Sequence, residues 1–311
     1  MELGSCSENF YLISQMPKKY INPDTYSIFE VVFVINSKVR EVDVTRAIIE
    51  NFMKDFSEYA ECDVVVVGAG PAGATAALLL AREGVKTLII EKDIKAGGGM
   101  WQGGMLLPKI VVEEPANKFL EAFGIKMQKQ GDLYIADSYY VTAKLLAQAF
   151  EHGAKMLNSV KVQDVIYRED GLHGVVINWT QVAHLTAECV DPLCIESKIV
   201  IDVTGHNAEV CRIVNEKIMP IKGGFVGHEG SMWIEKGEIA TVQNTKEVFP
   251  NLIVAGMAAN SVAGLPRMGP IFGGMFLSGI KAAKLALEKL RSNGKFEKNN
   301  ISKEVMAAVN A

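Results

Sequence analysis

The stretch "CDVVVVGAGPAGATAALLLAREGVKTLIIEK", residues 62–92, constrains this chain more than any other. Four consecutive valines suit a strand buried on both faces, which points to a parallel sheet covered by helices. Gly68-x-Gly70-x-x-Gly73 follows that strand and opens a helix, and Glu91 closes the next strand. A bare G-x-G-x-x-G is weak. With a strand before it, a helix after it and an acid about 20 residues on, it reads as a dinucleotide-binding turn. Gly68 makes the turn, Gly70 lets backbone approach a pyrophosphate, and Gly73 packs helix on strand. The helix N-terminus offers amide donors to phosphates, and Glu91 suits the ribose hydroxyls. The competing reading is a βαβ unit with a glycine-rich turn and no nucleotide.

The 311 residues, 49% hydrophobic and 22% charged, are enough for a sizeable core in one large domain or two smaller ones. A net charge of −4 without a basic patch argues against nucleic acid as a partner. The early apolar run "IFEVVFVI" is interrupted by Glu30 and is too short to span a bilayer, so no membrane role is expected. Five scattered cysteines, an odd number without a framework pattern, favour a reducing, cytoplasmic setting over a disulfide-held fold.

Residues 1–37 differ from the rest of the chain and read as an N-terminal extension, either disordered or pairing at a sheet edge. Residues 38–291 read as one domain and residues 292–311 as a charged tail. "DVTRAIIENFMKDF" has helical spacing, with Val44, Ile48, Phe52 and Phe56 on one face. After residue 92, helical and strand-like segments alternate, and two antiparallel strands are expected around Glu169, Asp170 and Gly171. "SKIVIDVTGH" reads as a buried strand. "NLIVAGMAA" reads as a strand leading into a glycine-rich loop and a long helix over residues 274–290. The expected fold is α/β, a Rossmann-like dinucleotide-binding fold of the flavoprotein (glutathione reductase-like) type with an inserted antiparallel β segment.

Two further glycine clusters stand out, "GGGMWQGGM" from Gly97 and "GLPRMGPIFGGM" from Gly264. Such loops commonly bring backbone against a ligand. The bland alternative for the first is a tight connection with Trp101 and Met105 as packing residues. Arg267 is the only cation in the second and could clamp a carboxylate or phosphate. The segment "AHLTAECVDPLC", residues 183–194, gathers His184, Glu188, Cys189, Asp191 and Cys194. It lacks the spacing of a structural zinc site, because no second close Cys or His pair follows.

The motifs "GAGPAG", "GGGMWQGGM", "NWT", "CVDP", "TGH" and "GLPRMGPIFGGM", in this order and spacing, resemble the thiamine thiazole synthase family, from about residue 40 to residue 290. The resemblance implies that NAD is a substrate here and not a redox carrier. It is condensed with glycine and a sulfur source into an adenylated thiazole, with iron(II) assisting and nicotinamide leaving. It implies a homo-octamer with sites shared between neighbouring chains. It matches Ala72, Glu91, Lys92, Gly99, Val162 and Met257 to nucleotide contacts and Arg267 to the glycine carboxylate. Asp191 and His206 match the iron ligands. Cys189, Val190 and Asp191 form the motif beside the substrate.

The subtype turns on residue 189. A cysteine there is the sulfur donor in members resembling those of plants and fungi, whereas most archaeal-type members carry histidine and use free sulfide. This chain resembles the archaeal-type members in length and in "MAANSVAGLPRMGPIFGG", yet it has Cys189, with His184 five residues earlier. The pattern favours Cys189 as the donor, with His184 and Glu188 as proton acceptors and free sulfide as the alternative. Cys194 is expected to be a small buried hydrophobe. Rival readings are an FAD-dependent oxidoreductase of the geranylgeranyl reductase type, a ribose 1,5-bisphosphate isomerase, and a non-catalytic NAD-binding protein.

Overall fold

The computed structural model describes residues 38–184, 190–221, 228–292 and 294. "IFEVVFVI" lies outside them. The chain divides into two compact units, Met1–Lys54 and Asp55–Ala311. The expected amphipathic helix is present as α1 (Glu41–Tyr59). Within the first unit its apolar residues Val44, Ile48 and Phe52 are exposed. Within the second unit Phe56 packs on the core, and the Tyr59 hydroxyl donates to the Gly153 carbonyl at 3.0 Å.

The fingerprint folds as its pattern requires. β1 (Glu61–Val67), α2 (Pro71–Arg82) and β2 (Thr87–Glu91) form a βαβ unit, and β1 and β2 pair in parallel. All four valines of β1 are buried, since core clusters cover both sheet faces and β1 is flanked on both edges. The other flank is β9 (Leu193–Asp202), also parallel. Outward from β2 lies β6 (Lys155–Asn158), and outward from β9 lie β11 (Leu252–Val254) and the antiparallel β10 (Lys246–Phe249). The strand order reverses at β1, so a crevice opens beyond the carboxyl ends of β1 and β9.

The inserted antiparallel segment is the hairpin β7 (Val160–Arg168) and β8 (Gly171–Trp179). β8 pairs with residues 193–196 of β9, while β11 pairs with residues 200–202. A small antiparallel sheet, β3 (Lys109–Val112), β5 (Leu133–Asp137) and β4 (Gln128–Gln130), makes up the rest. Cys194 is exposed, against the expectation of a buried hydrophobe. In this half of β9 side chains alternate, with Ile195 and Ser197 inward and Cys194 and Glu196 outward.

The segment after β11, expected as a loop, is partly helical. α7 (Met257–Ala263) starts at Gly256 and stops at the left-handed Gly264. Five of its seven residues are alanine, methionine or valine, which favour or tolerate a helix between glycine ends. The long C-terminal helix is present as α8 (Gly273–Ser292). α8 crosses α2 so closely that a Cβ on Gly279 would stand 2.4 Å from the Ala72 carbonyl oxygen. Backbone cannot yield there as a side chain would. The Gly279→Ala variant is therefore expected to lose roughly 1–3 kcal/mol of stability and to bind NAD more weakly, because Ala72 belongs to the first turn of α2. Denaturant titration and calorimetric NAD titration check this. A wild-type midpoint would show that the two helices can separate freely.

Candidate functional site

A cleft of about 850 Å³ opens where the parallel strands end. Its walls come from the ends of β1, β2, β9 and β11, the first glycine-rich loop and the loop before α8. Gly68, Gly70, Ala72, Glu91, Lys92, Gly99, Val162, His206, Met257 and Arg267 all line it, so residues scattered over the sequence converge on one space.

Gly70 caps α2, and a Cβ there would meet nothing within 4 Å, so its open side belongs to the cleft. Gly73 does not line the cleft. A Cβ on it would sit 2.0 Å from the Gly68 carbonyl, so its task is the close helix–strand contact. Glu91 is buried, and it accepts from the Ala69 amide at 2.8 Å and the Asp93 amide at 2.9 Å. Each oxygen keeps a further acceptor site, which is what two ribose hydroxyls need.

Beside it stands a cluster that sequence reasoning missed. Glu209, in α5 (Glu209–Lys217), takes a hydrogen bond from Lys92 Nζ at 2.9 Å and has Lys161 Nζ at 3.7 Å. Burial pushes the Glu209 carboxyl up, but the two ammonium groups outweigh it and hold the group below its ordinary value. Two cations on one anion leave local positive charge on the cleft wall, where a phosphate would be drawn.

The turn after β9 is set by Asp202, the fully buried last residue of that strand. Its carboxylate accepts from Thr204 N at 3.0 Å, Thr204 Oγ1 at 2.7 Å and Cys211 N at 2.8 Å. Thr204 Oγ1 in turn accepts from Glu209 N at 2.7 Å. This network shapes the turn Gly205–Asn207 that presents His206. Ser261 Oγ, from α7, donates to the His206 carbonyl at 2.7 Å. His206 Nδ1 lies 2.5 Å from Glu229 Oε2, and Arg267 Nε lies 3.9 Å from Glu229 Oε1. No sequence pattern singles out Glu229. The His206 ring therefore has Nε2 left as its ligating atom, with Nδ1 held by a carboxylate, which suits a divalent metal ligand.

Of the cysteine segment, Leu185, Thr186, Ala187, Glu188 and Cys189 lie outside the described residues. His184 ends the short turn Thr180–His184. Val190 and Asp191 are exposed and do not line the cleft. No group of three metal-ligating side chains occurs among the described residues. The base of the segment is pinned, since Asn178 of "NWT" donates to the Val190 carbonyl at 3.2 Å. Thr180 of the same motif donates to the Lys92 carbonyl at 2.8 Å. In the first glycine cluster Trp101 donates to the Ala96 carbonyl at 2.5 Å and packs on the core, whereas Met105 is exposed.

The described thiols differ in reactivity. Burial pushes Cys62 up to about 12 and raises Cys211 well above its ordinary value, with the Asp202 charge adding to the latter. Since the thiolate is the nucleophile, iodoacetamide at neutral pH is expected to label Cys194 in the folded protein and to spare Cys62 and Cys211. Peptide mass mapping reads this. Equal labelling of all three would contradict the burial.

Residues 45–272 match the Thi4 family. The thiamine thiazole synthase of Methanococcoides burtonii is 50% identical over 257 residues, covering 81% of this chain and 99% of that protein. That of Pyrococcus horikoshii is 47% identical over 258 residues, covering 82% and 100%. The crystal structure of Thermovibrio ammonificans THI4 superposes with a TM-score of 0.77 at 40% identity, covering 82% of this chain and 99% of that one. With the family matched over most of its length and near-complete relatives at this identity, the chain belongs to the Thi4 family.

Proposed function

We propose that this chain is a thiamine thiazole synthase that joins NAD, glycine and sulfur into an adenylated thiazole, with loss of nicotinamide. The observation that carries the reading is the convergence, in one cleft, of a dinucleotide turn with His206 and Arg267. A flavin oxidoreductase would use the turn but gives that pair no task.

The adenosine end binds through Gly70, Glu91 and the N-terminus of α2, with Lys92 near the phosphates. Gly99, Val162 and Met257 line the walls that enclose the nucleotide. Arg267 fixes glycine through its carboxylate by the two terminal nitrogens of the guanidinium, a fork that lysine cannot reproduce.

His206 and Asp191 would hold iron(II). An imidazole and a carboxylate suit such an ion, which when bound would supply a Lewis-acid site for substrate and sulfur. Asp191 is exposed and outside its own cleft, which supports delivery to the cleft of a neighbouring copy in a homo-octamer with shared sites. Cys189 supplies the sulfur. Its Cβ–S bond breaks, its α-proton passes to a base such as His184 or Glu188, and dehydroalanine remains. Five scattered cysteines, an odd number without a framework pattern, support a cytoplasmic setting.

Two measurements test the reading. Glu91→Ala is expected to weaken NAD binding by roughly tenfold to a hundredfold, since a hydrogen bond to a charged group is worth about 1.5–3 kcal/mol. Unchanged calorimetric affinity would remove Glu91 from the ribose. Intact and tandem mass spectrometry of protein from an iron-replete host is expected to find chains lighter by one hydrogen sulfide. Dehydroalanine should sit at position 189, with an adenylated thiazole released on denaturation. Full-mass Cys189 after product formation, with repeated turnover on added sulfide, would make the protein a sulfide user instead.

A further inference from the structure

Glu229 lies behind the cleft wall. It is not a lining residue, and its side chain is only 17% exposed. Its two oxygens are divided, with Oε2 on His206 Nδ1 at 2.5 Å and Oε1 facing Arg267 Nε at 3.9 Å. The backbone puts it there. Gly230 forms a parallel bridge with Pro266, its amide donates to the Leu265 carbonyl at 2.9 Å, and Trp233 N donates to the Arg267 carbonyl at 3.1 Å. The segment carrying Glu229 is thus laced to the loop carrying Arg267. The turn carrying His206 comes from a different part of the chain, at the end of β9.

We propose that Glu229 is the positioning residue of this site, holding the His206 ring and the Arg267 guanidinium at one fixed separation through a single carboxylate. A carboxylate only accepts, so Nδ1 of His206 carries the ring proton and the Nε2 lone pair is aimed away from Glu229. Partners of this kind fix both tautomer and ring orientation of a metal-binding histidine. On Arg267 the contact falls on Nε and leaves both terminal nitrogens for a substrate carboxylate. An ordinary exposed ion pair would do little. Here the carboxylate itself is 17% exposed while His206 and Arg267 keep about half of their side chains open to the cleft, and each of its oxygens serves a different functional group.

The inference rests on the reading of His206 as an iron ligand and of Arg267 as the glycine clamp, and the test separates the two. Wild type, Glu229→Ala, Glu229→Gln and His206→Ala are titrated anaerobically with iron(II) and, separately, with NAD. Glu229→Ala is expected to lose roughly 10–100-fold in iron affinity with NAD affinity unchanged. In Glu229→Gln the amide oxygen can still accept from Nδ1, so iron affinity should largely return. Its amide nitrogen must then face Arg267, so the glycine needed for half-maximal product formation should rise. Long-range proton–nitrogen NMR of the metal-free protein should show neutral His206 protonated at Nδ1 in wild type and shifting toward Nε2 in Glu229→Ala.

If His206→Ala loses iron and Glu229→Ala does not, Glu229 has no positioning role and the ligand assignment stands. If neither loses iron, both fail. Loss in Glu229→Ala with full binding in His206→Ala would make Glu229 a ligand and overturn the proposal, as would an Nε2–H tautomer in wild type.

Discussion

The site depends on a carboxylate that never reaches it. Asp202 is completely buried at the end of β9, and burial raises its carboxyl above the ordinary value. A buried acid is tolerable only when its oxygens are satisfied. Asp202 is satisfied by the Thr204 amide and hydroxyl and the Cys211 amide. Those three bonds dictate the path of residues 203–211. Two residues of the cleft, His206 and Glu209, therefore inherit their places from one buried group. The Ala255 amide also donates to the Asp202 carbonyl at 3.0 Å, so the neighbouring strand is registered on the same residue.

The nucleotide end is legible in the sequence because its determinants are local. Strand, turn, helix and acid occupy 31 consecutive residues, and each residue type answers a backbone requirement met within that span. Gly73 illustrates the point, since the nearest atom to its missing Cβ is the carbonyl of Gly68, five residues away. The chemical end is legible only through resemblance. Glu229 is one of 36 acids, in a loop without periodicity, and its meaning lies in a contact with His206 across 23 positions and with Arg267 across 38. Glu209 reaches Lys92 across 117. Nothing in local pattern encodes such pairings.

The two errors of local reading have physical causes. Sequence proximity groups Cys194 with the cysteine loop, yet it is the second residue of β9, where only alternate side chains are buried. Alternation with Ile195 and Ser197 decides its exposure. α7 reads as loop from sequence because glycine brackets it, whereas Gly256 and Gly264 are its ends, both at positive φ. Glycine there stops and starts a helix.

The "NWT" segment joins the two ends of the site. Thr180 holds the Lys92 carbonyl and Asn178 holds the Val190 carbonyl, so the exit of the cysteine segment and the residue after Glu91 share one anchor. Asn178 is itself buried and reaches toward Gln163 on the adjoining strand. Asp191 is one residue beyond that anchor, exposed and outside its own cleft. A tether of this kind fixes where the segment leaves the domain while its carboxylate faces outward. Under the proposed function, that is the placement of a ligand offered to the cleft of a neighbouring copy.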